Sequence, residues 1–284
     1  MAIFTNQATL SYNNTTTTSN IVTGEIVEVL SAVKNALDTE YRFGDTVTYA
    51  ISIINSGSSA FNNVTVTDNL GAYTAGMMTR VPLTYVDDTV VYYANGVLQT
   101  GATVTDTSPL TITGINVPAN GNVIVLYQAR VNEFAPLAAG SVITNTATIT
   151  GSGLTNPITV SDTITIASAA QLSITKSISP ETVTENGQLT YTFVIQNTGN
   201  TAAAATDNVT VSDLFNPVLE NITVSLNGTA LVEGPQYTYD ETTGLFQTVA
   251  GVITVPAATY TMDTTTGQWN IVPGVTVLTV TGTI

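Results

Sequence analysis

Hydrophobic and polar residues alternate along most of this chain in short runs that are separated by polar turns. The first run is clear: Phe4, Asn6, Ala8, Leu10 and Tyr12 fall on one side of an extended strand, and polar residues lie between them. A period of two is typical of a half-buried β-strand. The pattern predicts a strand over residues 1–12, a polar loop over 13–20 and a second strand over 21–29.

The pattern of this first segment recurs far downstream. Residues 4–10 (FTNQATL) align with residues 143–149 (ITNTATI), and the downstream copy is also followed by a loop, at 151–157, and by a strand, at 158–166. The downstream strand comes near the end of a repeat, whereas the first one has no domain in front of it. We interpret residues 1–12 as a strand that completes a domain of another molecule.

A longer unit occurs twice and carries most of the chain. The corresponding residues of the two copies are Lys34 and Lys176, Tyr49 and Tyr191, Asn55 and Asn197, Gly57 and Gly199, and Asp68 and Asp213. Further along, the hairpin signal Asn95-Gly96 corresponds to Asn227-Gly228. We also align Val117-Pro118 with Val272-Pro273. The first copy continues into the strands at 142–150 and 158–166, and the second does not contain them.

These features predict an all-β fold, because β-branched residues with scattered Gly, Asn and Pro are typical of many short strands joined by turns. The architecture we expect is two tandem immunoglobulin-like β-sandwiches. Residues 1–28 form an N-terminal donor arm, 29–168 a complete first domain, and 169–284 a second domain that lacks its last strand or strands. An unfinished sandwich exposes a sheet edge, which a strand from a neighbouring subunit repairs in donor-strand complementation.

Composition narrows the functional classes. The chain has 284 residues and a formal net charge of −15, with five basic residues, no His and no Cys. A nucleic-acid partner is not expected, because a basic patch cannot be assembled. No apolar run is long enough to insert into a membrane. No thiolate metal site and no nucleophile–His pair can form. We therefore expect no metal, no cofactor and no enzyme, and an extracellular location on a cell or spore surface.

The two lysines are the candidate reactive residues, because each falls on the predicted core face of its strand. An inward-facing acid and an inward-facing Asn recur on other strands, and such groups are costly to bury unless they satisfy one another. Burial lowers the pKa of a Lys and raises that of an Asp, which suits an intramolecular Lys–Asn isopeptide bond formed with loss of ammonia. The proposed sets are Lys34, Asp68 and Asn145 within one subunit, and Lys176 and Asp213 with Asn6 of the next. The alternative is a hydrogen-bonded network or ion pair without a covalent bond.

The spacing from Lys34 through Tyr49, residues 55–57 and residues 64–68 to Asn145, with its partial second set, resembles the bacterial surface-protein conserved repeat called domain of unknown function eleven. The resemblance covers nearly the whole chain. It implies an immunoglobulin-like sandwich on cell-surface or filament proteins. More loosely, the chain resembles the isopeptide-bonded domains of Gram-positive pilins and adhesins. The displaced Asn strand departs from a simple string of domains and favours assembly.

Two functions remain open from the sequence. The first is a structural subunit of an extracellular bacterial filament that polymerises with itself, head to tail. Its donor strand would insert through Ile3, Phe4, Asn6, Ala8, Leu10 and Tyr12. The second is a monomeric surface adhesin or surface-layer module that binds a ligand through its loops. Deletion of the arm separates the two, because only the first requires it for assembly.

Overall fold

The computed structural model describes residues 2–284, and over this range the chain is almost entirely β, as the sequence predicts. Its sheets are arranged as sandwiches. These residues include no helix that is long and apolar enough to cross a bilayer. The chain divides into two compact units. Unit 1 contains the chain up to Ala135 together with Val142–Thr165, and unit 2 contains Pro136–Ser141 and Ile166–Ile284.

The first segment is an exposed hairpin, which we call the arm. Its strands are β1 (Ala2–Asn6), β2 (Thr9–Tyr12), β3 (Thr15–Thr18) and β4 (Val22–Ile26). β1 pairs with β4 and β2 pairs with β3, both antiparallel. Asn13 and Asn14 form the turn at the tip with φ of 45° and 62°, the left-handed conformation that two-residue hairpin turns require.

The arm corrects two details of the predicted pattern. The loop expected over residues 13–20 is wrong for β3, because its β-branched threonines pair with β2. The single strand expected over 1–12 is interrupted at residues 7–8. There the Ser19 Oγ accepts a hydrogen bond of 2.9 Å from the Ala8 amide, and the Gln7 side chain donates to the Ser19 carbonyl at 2.8 Å.

Unit 1 contains fourteen further strands: twelve build two six-stranded sheets, and the other two pair with each other as a separate hairpin. They are β5 (Leu30–Ala36), β6 (Glu40–Tyr41), β7 (Thr46–Asn55), β8 (Phe61–Asp68), β9 (Tyr73–Ala75), β10 (Met78–Arg80), β11 (Leu83–Tyr85), β12 (Val91–Ala94), β13 (Val97–Gln99), β14 (Thr103–Thr107), β15 (Leu110–Val117), β16 (Gly121–Val131), β17 (Val142–Thr150) and β18 (Ile158–Ile166). One sheet has the order β13-β12-β16-β7-β5, with β11 also on β16, and the other has the order β14-β15-β8-β17-β18-β6.

The core of unit 1 comes from the alternation that the sequence shows. Along β7, Val47, Tyr49, Ile51 and Ile53 are almost completely buried, and the residues between them are more exposed. β8, β15, β16 and β17 alternate in the same way. Each sheet therefore turns one apolar face inward, which is the arrangement of a β-sandwich.

Unit 2 repeats part of this plan with fewer strands. They are β19 (Leu172–Ser179), β20 (Gln188–Asn197), β21 (Ser212–Leu214), β22 (Glu220–Leu226), β23 (Thr229–Ala230), β24 (Tyr237–Asp240), β25 (Leu245–Thr248), β26 (Thr259–Met262), β27 (Trp269–Val272) and β28 (Gly274–Thr283), with one 3-10 turn at Ala205–Asp207. One sheet has the order β19-β20-β28-β22-β23, and the other has the order β21-β25-β24. The core between them contains an aromatic cluster of Tyr191, Phe215, Phe246 and Tyr237.

A turn built around a buried Asn occurs in both units and shows which residues of the two copies correspond. The Asn55 amide donates to the Pro118 carbonyl at 2.9 Å, and its Oδ1 accepts from the Gly57 amide. In unit 2 the Asn197 amide donates to the Pro256 carbonyl at 3.0 Å. The counterpart of Pro118 is therefore Pro256, and the alignment with Pro273 is wrong, because the hairpin β26–β27 lies between Pro256 and the start of β28.

The two units differ most beside the strand that carries the conserved acid. In unit 1, β8 lies between β15 and β17, whereas its counterpart β21 lies at the edge of the three-stranded sheet of unit 2. All residues of β19 are exposed, including Leu172 and Ile174 at 41% and 52%. We expected this face of β19 to be core. It is exposed in a single chain because unit 2 has no strands in the places of β17 and β18 within residues 2–284.

Candidate cross-link and strand-donor sites

A buried ion pair connects the two sheets of unit 1. Lys34 lies on β5 opposite Ile51 of β7, and Asp68 is the last residue of β8. The Lys34 ammonium donates to the Asp68 Oδ2, and both side chains are completely buried. The ammonium also lies over the Tyr49 ring, 4.6 Å from its centroid. Two charges removed from water in this way are stable only when they are paired and hydrogen-bonded.

Tyr127, on β16, connects this ion pair to Asn145. Its hydroxyl accepts a hydrogen bond of 2.7 Å from the Lys34 Nζ and donates one of 2.7 Å to the Asp68 Oδ2. The Asn145 Nδ2 in turn donates to the Tyr127 hydroxyl at 3.0 Å. The structure thus brings Lys34, Asp68 and Asn145 into one buried cluster, as the sequence predicts, with a tyrosine hydroxyl at its centre.

A strained turn after β8 aims two backbone amides at the same cluster. Leu70 and Gly71 both have positive φ, 52° and 73°. The Leu70 amide donates to the Asp68 Oδ1 at 2.9 Å, and the Gly71 amide donates to the Asn145 Oδ1 at 3.1 Å. A leucine in the left-handed region costs on the order of 1–2 kcal/mol, and these hydrogen bonds hold it there. Strained backbone conformations of this kind are common at active sites and ligand-binding sites.

The electrostatics of the cluster favour a neutral amine and a neutral phenol. Burial lowers the pKa of the Lys34 ammonium, and the Asp68 carboxylate opposes this shift. Burial also raises the pKa of the Tyr127 hydroxyl well above its ordinary value, and the charge of Asp68 adds to the rise. A buried Lys that loses its proton readily becomes a nucleophilic amine, and the phenol stays protonated.

The corresponding site in unit 2 is open. Lys176 lies opposite Phe193 on β20 and donates to the Asp213 Oδ2, but its side chain is 39% exposed and that of Asp213 is 20% exposed. The ammonium is surrounded by aromatic rings, at 4.3 Å from the centroid of Tyr191, 5.3 Å from Phe215 and 5.5 Å from Phe193. The lysine and the acid are therefore present, and the side on which Asn145 lies in unit 1 is uncovered.

The tyrosine hydroxyl of the unit 1 cluster has no counterpart in unit 2. Tyr127 pairs with Tyr49 across β7 and β16, whereas the residue that pairs with Tyr191 is Val280. Sequence reasoning missed Tyr127 altogether. The available signal was a hydroxyl in the run Val123, Val125, Tyr127, Ala129 and Val131, where every other inward position is purely apolar.

The predicted donor residues are exposed along the whole arm. The exposed fractions are 68% for Ile3, 52% for Phe4, 61% for Leu10 and 58% for Tyr12, and Asn6 and Ala8 are exposed as well. The aligned positions of β17 are almost completely buried: Ile143, Asn145, Ala147 and Ile149. The Phe4 ring covers Gly24 on the partner strand. The same pattern is thus core in β17 and uncovered in the arm.

Comparisons with known proteins give likeness of fold alone. No protein-family model and no curated protein matches the chain. Among solved structures, it is similar to the major pilin subunit of Bacillus cereus, at 12% identity and a TM-score of 0.41 over 95% of this chain and 73% of that chain. It is also similar to a C-terminal fragment of a major pilin of Streptococcus agalactiae, at 14% identity and a TM-score of 0.37 over 87% and 91% of the two chains.

A third similar structure is a family 123 glycoside hydrolase from Clostridium perfringens, at 15% identity and a TM-score of 0.30. The match covers 49% of this chain and 27% of the hydrolase chain. The resemblance to the bacterial surface-protein conserved repeat is not confirmed.

Proposed function

We propose that this protein is a structural, non-enzymatic subunit of an extracellular bacterial filament, on a cell or spore surface, that polymerises head to tail by strand donation. The arm of one subunit adds to the open edge of unit 2 in the next. A contact of this kind joins two different surfaces, so its default product is an open filament.

The observation that supports this proposal is the match between an uncovered strand pattern and an uncovered edge. The arm carries the sequence pattern of β17, which in unit 1 pairs with β8. The strand equivalent to β8 in unit 2 is the edge strand β21. The arm presents Phe4 and Leu10 to solvent, and unit 2 presents Leu172 and Ile174. Joining the two removes both apolar surfaces from water and extends the sheet.

The hairpin form of the arm extends the proposal from one donated strand to two. In unit 1, β17 pairs with β8 on one side and with β18 on the other. In the arm, β4 pairs with β1 as β18 pairs with β17. The arm therefore carries its own second strand, so the donated strand is already paired on its outer side when it is inserted.

Covalent cross-links complete the proposal. Lys34 joins Asn145 within unit 1, and Lys176 joins Asn6 of the next subunit, with Asp68 and Asp213 as the respective acids. The lysine and acid of each set are already in contact within one chain. The second set joins residues of two molecules, and strand donation brings them together.

Deletion of residues 2–26 tests the assembly. We expect the shortened chain to fold and to stay monomeric in sedimentation velocity, with no filaments in negative-stain electron microscopy, whereas the full chain forms filaments. Adding the arm as a separate peptide should occupy unit 2 of the shortened chain at one peptide per chain. A full-length chain that stays monomeric at all concentrations would favour the adhesin or surface-layer alternative.

A further inference from the structure

The cluster in unit 1 contains a hydroxyl that none of the expected cross-link chemistry requires. We infer that Tyr127 is a catalytic residue of the Lys34–Asn145 cross-link, in which it carries a proton from the attacking nitrogen to the departing one. This inference rests on the proposed cross-links and adds a residue, and a difference between the two sites, that they do not contain.

The geometry that supports it is the position of one hydroxyl between the two nitrogen atoms of the exchange. The Tyr127 oxygen lies 2.7 Å from the Lys34 Nζ and 3.0 Å from the Asn145 Nδ2. A group that transfers protons in catalysis must be within hydrogen-bond reach of both the donor and the acceptor. Its own proton points to the Asp68 Oδ2. The hydroxyl is completely enclosed, so no solvent molecule need take this role.

The step balances with the groups present. The Lys34 ammonium first gives one proton to the Asp68 carboxylate, which leaves a neutral amine. The amine attacks the Asn145 Cγ, and the oxyanion that develops on Oδ1 is held by the Gly71 amide, which already donates to this oxygen at 3.1 Å.

After the attack, the Lys34 Nζ is positively charged and must lose a proton, and the Asn145 Nδ2 must gain a proton before it can leave as ammonia. Tyr127 takes the proton from Nζ and returns its own to Nδ2. The Cγ–Nδ2 bond breaks and ammonia departs. The products are the amide between Nζ and Cγ, ammonia, an unchanged tyrosine and a protonated Asp68.

Unit 2 has the lysine and the acid without this relay. Val280 stands in the place of Tyr127, so the proton carrier is absent from the unit 2 residues. The Tyr12 hydroxyl of the arm cannot substitute directly, because Tyr12 aligns beyond the end of the buried stretch of β17. The two cross-links are therefore expected to form at different rates, fast within a subunit and slow between subunits.

The test is the rate of ammonia loss in full-length chains made by cell-free synthesis and quenched in acid at intervals. Intact mass gives the extent of reaction, and digestion followed by peptide mass analysis identifies the Lys34–Asn145 pair. Tyr127→Phe keeps the ring and its stacking on Tyr49 and removes only the hydroxyl. We expect this variant to lose ammonia about a hundredfold more slowly than the natural chain, which is the usual scale of a general acid–base contribution.

Tyr239→Phe is the matched control. It removes a hydroxyl that makes two hydrogen bonds, both to the backbone of Leu219 in unit 2. It should leave the unit 1 rate unchanged. Circular dichroism of each variant checks that the chain is folded. If Tyr127→Phe unfolds unit 1, 3-fluorotyrosine placed at position 127 during the cell-free synthesis replaces it. The fluorine keeps the hydroxyl and lowers the pKa of the phenol, so the rate of ammonia loss should change if the phenol carries the proton and should stay the same if the tyrosine is only structural.

The possible outcomes separate this inference from the cross-link itself. If the natural chain keeps its full mass, the cross-link proposal fails, and the inference fails with it. If the natural chain and Tyr127→Phe lose ammonia at the same rate, the cross-link stands and the role of Tyr127 is overturned. A slow Tyr127→Phe beside a normal Tyr239→Phe supports the relay.

Discussion

Lys34 and Lys176 occupy equivalent positions in the two units, but the Lys34 side chain is completely buried and the Lys176 side chain is 39% exposed. Lys34 lies on β5, the first strand after the arm, opposite Ile51 of β7, and Lys176 lies on β19, the first strand of unit 2, opposite Phe193 of β20. Each is paired with the acid at the same place in the repeat. The difference comes from the strands β17 and β18, which cover the first site and have no counterpart in unit 2 of the described chain.

The first prediction concerns the stability of the two ion pairs. Compared with natural chains that have not lost ammonia, and so keep the ion pair, Lys34→Ala should destabilise unit 1 by about 3–5 kcal/mol, because it leaves the Asp68 charge buried without a partner. Lys176→Ala should destabilise unit 2 of the unassembled chain by about 0–1 kcal/mol, as for a partly exposed pair. Urea unfolding measures both, with Trp269 fluorescence reporting on unit 2. Equal losses from the two substitutions would contradict the difference in burial as the cause.

The second prediction concerns the face of the arm that enters the neighbour. Leu10 aligns with Ile149, which is completely buried in β17, yet Leu10 is 61% exposed. Leu10→Glu should change the stability of the unassembled chain by less than about 0.5 kcal/mol. It should strongly reduce filament formation, because it places a charge in the core of the completed unit.

Thr9→Glu is the control for this experiment, because Thr9 aligns with Thr148 on the outer face of β17. It adds the same charge to the same strand of the arm and should leave most filaments in place. Electron microscopy and the pelleted fraction after centrifugation provide the measurement. Loss of filaments in both variants would mean that the charge, and not the face, decides assembly.

The sequence predicts the repeated features of this fold because they depend on local patterns. Alternation gives the strands, and the shared spacing after the two lysines identifies the two copies. The Asn55 and Asn197 turns show why that spacing is kept, since each Asn side chain bridges the same two loops. The likeness of the arm to β17 could be recognised from the sequence because the alternation of side chains is the same whether or not the apolar face of the strand is buried.

The features that the sequence did not reveal depend on distant contacts. Tyr127 was missed because a tyrosine among inward apolar positions is common in cores, and its three partners come from three other strands. The alignment of Pro118 with Pro273 was wrong because the hairpin β26–β27 is inserted after Pro256. Val272-Pro273 therefore lies directly before β28, at the position where Val117-Pro118 is expected from its distance to β16. The exposure of Lys176 follows from which strands are present beside it, and no pattern within β19 contains that information.

The third prediction concerns covalent linkage between subunits. Boiled filaments should give a ladder of multimers on a denaturing gel. Lys176→Ala should abolish the ladder, because it removes the amine that joins Asn6 of the neighbour, while Lys34→Ala should leave it. The ladder should also intensify as filaments age, because unit 2 lacks the hydroxyl of Tyr127. A single monomer band from boiled filaments would restrict the assembly to non-covalent strand donation.

The fourth prediction concerns alkaline pH. Burial raises the pKa values of Tyr41, Tyr49 and Tyr127 in unit 1. In the unfolded chain these phenols titrate near pH 10. A group whose pKa is higher in the folded state binds its proton more tightly there, so the unfolded state loses protons first as the pH rises. The associated stability is fully present below about pH 10 and is lost progressively above it.

We therefore expect the phenolate absorbance of the chain, which has 12 tyrosines, to rise in two steps. Part of the absorbance should rise before the chain unfolds, and Tyr41, Tyr49 and Tyr127 should ionise only when the far-ultraviolet circular dichroism shows that unit 1 unfolds. Tyr127→Phe removes one of these groups. Its free energy of unfolding, measured by urea titration, should therefore fall less between pH 8 and pH 11 than that of the natural chain, by about 1 kcal/mol or more. A single absorbance step near pH 10 with unchanged circular dichroism would mean that the hydroxyls of the cluster reach solvent without unfolding, and a phenol open to solvent could not serve as an enclosed proton carrier.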